Sequence, residues 1–139
     1  MAQTKVDKND YPLSAKRREL VRSATNKSLD DLTLDKVMAG SVTFDDFKTR
    51  PETLEYQGQI ATSAGRPHIA ANLRRAAEMT RIPDARILEM YNALRPYRST
   101  KQEMLDMATE LESKHQAPVC AALVREAAET YDKRGRLKR

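Results

Sequence analysis

STKQEMLDMATELESKHQAPVCAALVREAAETY, Ser99 to Tyr131, decides the fold class. Ser99 and Thr100 each stand three residues before Gln102 and Glu103, the capping-box spacing that satisfies amides left orphaned in a first helical turn. Met104, Leu105, Ala108 and Leu111 then recur at helical spacing to about His115. Pro118 suits the first turn of a following helix, which carries Val119, Leu123, Ala127, Thr130 and Tyr131 in line. Two consecutive helices are predicted.

The same punctuation runs back through the chain. Thr49 as a cap, Pro51 in a first turn and Gly65 as terminator frame a helix over about 50–64, with Leu54, Gln57, Ile60 and Ala61 at helical spacing. Pro67 opens another, whose stripe is Ile69, Leu73, Ala76 and Ala77, with Arg74, Arg75 and Glu78 facing outward, ending near Arg81. Pro83 and Asp84 lead into Ile87, Leu88, Tyr91 and Leu94 before Arg95 and Pro96 break the run. Upstream, Thr33 caps a helix to about Ala39, closed by Gly40, with Leu34, Val37 and Met38 on one face. Thr43 starts a short turn in which Phe44 and Phe47 share a face as core or interface residues, and Ser14–Val21 is a short charged helical candidate. No alternation of apolar and polar residues persists long enough for a strand, so the fold class is all-α.

At 139 residues the chain fits one domain: a flexible segment over 1–10, extended and ordered only against a partner, and a helical domain over 11–139. With Phe 2, Trp 0 and 32% charged residues, it has little bulk to bury, which suggests a subunit that completes its fold against another protein. The formal charge of +5 admits a nucleic-acid arm, but the dense basic run is confined to Lys133–Arg139, where cations suit a helix C-terminus; no nucleic acid is expected. One cysteine and no signal-like opening favour a reducing cytoplasmic setting, and no apolar run approaches membrane-spanning length.

The residues offer contacts rather than chemistry. His68, His115 and Cys120 lack ligand spacing, the glycines at 40, 58, 65 and 135 make no phosphate loop, and Asp30-Asp31 and Asp45-Asp46 read as helix-start charges. LRPYRST, Leu94 to Thr100, sets arginines and a tyrosine around a proline between two helices, a rigid polar connection suited to binding. Tyr11, Pro12 and Leu13 form a second anchor, so Tyr11, Pro12, Leu13, Arg95, Tyr97 and Arg98 are the expected interface residues.

DYPL at 10–13, ATNKSLDDLTLDKV at 24–37, RPETLEYQGQIA at 50–61, NLRRAAEMTRIPDARILEMYNALRPYRST at 72–100 and AALVREAAETY at 121–131 resemble the small subunit of adenosylcobalamin-dependent diol and glycerol dehydratases. The resemblance implies a non-catalytic subunit assembled with large and medium subunits as a dimer of heterotrimers, with a reactivating factor as a further partner. It implies conversion of 1,2-propanediol, glycerol or ethylene glycol to an aldehyde and water by a radical route. Adenosylcobalamin would lie between the large and medium subunits, and a metal ion, potassium or calcium, in the large one. Neither would be bound by this chain, and no catalytic residue is carried over. Only nine residues precede Asp10, shorter than the leader some diol dehydratases bear for microcompartment packaging, so the resemblance implies a cytoplasmic setting ahead of a microcompartment, which stays open.

Overall fold

The computed structural model describes Thr4–Arg139, an all-helical chain with no strand among the described residues. Its helices are α1 (Leu13–Lys16), α2 (Leu34–Met38), α3 (Pro51–Ser63), α4 (Pro67–Met79), α5 (Asp84–Ala93), α6 (Lys101–Ser113) and α7 (Pro118–Lys133), with four short 3-10 turns before α3 among the described residues. The chain divides into two compact units, one up to Ala77 and one over Glu78–Arg139. Helix starts follow the prolines: Pro51, Pro67 and Pro118 each occupy a first position, where the missing N–H costs nothing. Two expectations shift locally. Arg50, not Thr49, holds the N-cap of α3, and the candidate over Ser14–Val21 breaks into α1 and a 3-10 turn at Arg18–Leu20.

The amino-terminal unit has a small core. Val6, Leu13 and Ile60 are buried together, with Leu20, Val21 and Tyr56 packed around them. The amide of Val6 donates to Gln59 Oε1 at 3.0 Å, and Asp7 and Asp10 make a reciprocal capping box, so the chain is hydrogen-bonded from Val6 onward. Met1–Gln3, the start of the segment expected to be flexible, lie outside the described residues. Between α1 and α3, polar contacts replace apolar bulk. The buried Asp46 carboxylate accepts from Thr25 Oγ1 at 2.5 Å and from the Thr43 amide at 2.7 Å. These bonds, the Thr25 hydroxyl first, hold the Asp46 pKa below its ordinary value against the opposing effect of burial.

The carboxy-terminal unit is built on the packing of α6 against α7. Met104, Met107, Ala108 and Leu111 of α6 meet Cys120, Ala121, Val124 and Ala128 of α7, with Ile82, Met90 and Ala117 completing the cluster. Ala108, Ala121 and Ala128 have no exposed surface, so the helices can approach closely while unbranched methionines fill the remaining gaps. Arg86 on α5 forks onto Glu110 of α6 at 3.0 and 2.6 Å and also pairs with Glu89. The guanidinium lowers the Glu110 pKa, against the effect of burial.

Several expected stripes are rotated. On α7 the buried line is Cys120, Ala121, Val124 and Ala128, while Val119 and Leu123 remain 37% and 45% exposed. On α5, Met90 is buried and Leu88 and Tyr91 are exposed; on α4, Ala70 and Ala77 are buried and Ile69 is exposed. Glu78, expected to face outward, is 6% exposed. It accepts from the amides of Val119 at 3.0 Å and Cys120 at 2.8 Å, at the head of a helix whose own N-cap residue, Ala117, supplies no side-chain bond. A carboxylate there satisfies orphan donors and complements the positive end of the helix dipole.

Glu78→Ala should therefore destabilise the carboxy-terminal unit by about 2–4 kcal/mol, with Glu78→Gln losing less because one acceptor remains; urea unfolding measures both. The contribution of Asp46 has a defined sign: it is complete above the ordinary value near 3.8 and is lost as pH falls through the lower folded value. Asp46→Asn should flatten the acid limb of thermal stability between about pH 2 and pH 5.

Candidate subunit interface

The chain places most of its aromatic rings on its surface. It has 2 Phe and 5 Tyr; Phe44 and Phe47 are exposed, as are Tyr11, Tyr91 and Tyr97. Leu34 and Met38 of α2 are 75% and 80% exposed, so the apolar face predicted for that helix points away from the core. A self-sufficient domain would bury such side chains, whereas aromatic and methionine residues are enriched where proteins dock.

Tyr11, Pro12 and Leu13 lie in one turn of the amino-terminal unit, joined by a cis Tyr11–Pro12 bond. Leu13 is buried in the unit's own core, and Tyr11 stands 68% exposed above it. Arg95, Tyr97 and Arg98 lie together in the connection between α5 and α6 of the other unit. That connection is braced at both ends. Tyr131 donates its hydroxyl to Leu94 O at 2.8 Å, Ser99 Oγ donates to Ala93 O at 2.8 Å, and Thr100 and Glu103 form the predicted capping box. Between these ties Tyr97 adopts φ +65°, a left-handed conformation unusual for a residue with a Cβ.

The C-terminal tail holds Tyr97 there, a role that reading the tail as a solvated helix end does not provide. Gly135, at φ +62°, closes α7: its amide donates to Asp132 O at 3.2 Å and that of Arg136 to Tyr131 O at 2.8 Å, the Schellman pattern. The tail then turns back. Tyr97 N donates to Arg136 O at 2.7 Å, the Arg136 guanidinium lies 5.5 Å from the Tyr97 ring centroid and bonds its hydroxyl, and Lys138 N donates to Ser99 O at 2.9 Å. The available signal was the glycine, which reverses a chain after a helix. Arg95 and Arg98 are exposed and make no ion pair among the described residues, so both guanidinium forks are available to acidic groups.

Other candidates for chemistry are dispersed. Cys120 is buried and forms no disulfide, His68 is exposed, and His115 Nε2 lies 3.5 Å from Glu110 Oε1. No group of three His, Cys, Asp or Glu side chains is arranged to hold a metal ion among the described residues, and no helix among them is long and apolar enough to cross a membrane.

Outward aromatics and a braced arginine loop are carried on an all-helical frame. The chain belongs to the dehydratase small subunit family, whose model matches residues 6–138. It is 56% identical over 130 residues to the propanediol dehydratase small subunit of Salmonella typhimurium, covering 94% of this chain and 75% of that protein. It is also 56% identical over 129 residues to the propanediol dehydratase small subunit of Citrobacter freundii, covering 93% of this chain and 75% of that one.

Removing Arg136–Arg139 should release the Tyr97 loop while leaving α6 and α7 folded. Hydrogen–deuterium exchange at residues 97–100 should rise about tenfold or more, corresponding to the loss of roughly 1.4 kcal/mol of local protection.

Proposed function

We propose that this chain is the small subunit of a propanediol dehydratase, a hydro-lyase that converts 1,2-propanediol, and by extension glycerol, to an aldehyde and water. The observation that carries the reading is the 56% identity, over 94% of the chain, to a propanediol dehydratase small subunit. In this reading the chain acts by docking to large and medium subunits within a dimer of heterotrimers in the cytoplasm. The exposed rings, Tyr11 and Pro12, and the Arg95–Tyr97–Arg98 loop are the proposed contacts, with Leu13 supporting the turn from beneath.

Adenosylcobalamin supplies radical chemistry when bound, and the large and medium subunits are assigned its site, together with the potassium or calcium ion of the large subunit. The charge pattern fits protein docking better than a nucleic-acid arm. Arg17, Arg18, Arg50, Arg86 and Arg125 are all paired with carboxylates, and Arg136 of the basic tail is engaged by Tyr97.

Reconstitution tests the proposal. Co-expressed with large and medium dehydratase subunits, the chain should co-purify in equal proportion. Aldehyde formation from 1,2-propanediol with adenosylcobalamin should fall at least tenfold when it is omitted. A stable, fully active complex without this chain would overturn the reading.

A further inference from the structure

The amino-terminal unit contains a groove of about 830 Å³ between the Tyr11–Pro12–Leu13 turn and helices α3 and α4. Its walls are apolar, formed by Leu13, Ile60, Ala61 and Leu73, and exposed Tyr11 and Ile69 stand along it. Its charged lining has one sign. Lys8 and Arg66 line it, no acidic residue does among the described residues, and neither cation has an ion-pair partner among them. Arg66 immediately precedes Pro67 at the head of α4, the end of a helix dipole that disfavours a cation. Folding gives no return for a positive charge at that place, whereas an incoming carboxylate would.

Building on the subunit reading above, we propose that this groove receives a segment of a partner dehydratase subunit that inserts an apolar side chain and sets a carboxylate against Lys8 and Arg66. A small-molecule pocket would fix its ligand with several convergent polar groups, and here the walls are mostly apolar with Lys8 and Arg66 as the charged lining. An apolar centre with charge at its edge is instead the anatomy of a protein interface, and the cations select an acidic partner.

The test uses the three-subunit complex. Lys8→Glu with Arg66→Glu should weaken association of this chain with its partner subunits at least tenfold at low salt. The thermal midpoint of the free variant should hold or rise, since a glutamate suits the head of α4. Unchanged association would overturn the groove assignment while leaving the subunit reading intact; failure of the unaltered chain to associate would overturn both. p-Benzoylphenylalanine in place of Tyr11 identifies the occupant. Photocrosslinking within the assembled complex should capture a large- or medium-subunit peptide that contains an acidic residue beside an apolar one. Capture of a second copy of this chain, no capture, or retention of a small apolar acid by the free chain in native mass spectrometry would overturn the proposal.

Discussion

A carboxylate buried to 6% exposure at the first residue of the carboxy-terminal unit governs how the rest of that unit is built. Glu78 cannot be left without donors in an apolar setting, and α7 begins with a proline at its first position and an alanine as its cap. Each supplies what the other lacks. Amides 41 and 42 positions downstream meet both carboxylate oxygens, which fixes where α7 starts and with it the register in which it meets α6. The core stripe of alanines and methionines depends on that register. So does the place at which Gly135 ends the helix and returns the tail to the Tyr97 loop.

The elements were legible in the sequence because their boundaries are chemically marked. Prolines at 51, 67 and 118, the Thr100–Glu103 capping box and left-handed glycines at 40, 65 and 135 act locally, and local signals survive without knowledge of the fold. Which face of each helix turns inward was less legible. α5 and α7 carry two apolar stripes apiece, and Leu88 with Tyr91, or Val119 with Leu123, look as suitable for a core as Met90 or Val124. A surface that docks against protein has the composition of an interior, so periodicity cannot rank the two. Glu78 defeats such a reading for the opposite reason: charge predicts exposure, and the donors that permit its burial lie at a helix start far along the chain.

The candidate contacts show the same contrast. Proline and arginine content pointed to the 94–100 connection and the Tyr11 turn, but the reason for their rigidity was not local. Tyr97 is held in an uncommon backbone conformation by groups 39 residues away, and Tyr11 is presented by Leu13 packing against Val6 and Ile60. Pairings at that separation become visible only once the helices are placed. The amino-terminal unit, with few large buried side chains, relies instead on hydrogen bonds around Asp46, whose members are ordinary turn residues when read singly.

The alanine seam between α6 and α7 divides the positions of this unit by what they can accept. At Ala108, Ala121 and Ala128, where no surface is exposed, a longer side chain would wedge the helices apart, so tolerated exchange is confined to residues of similar volume. Away from the seam, Leu88 and Tyr91 of α5 and Leu123 of α7 have open surroundings in this chain, and no internal packing constrains their volume. Exchange at such exposed positions therefore leaves the spacing of the two helices unchanged within.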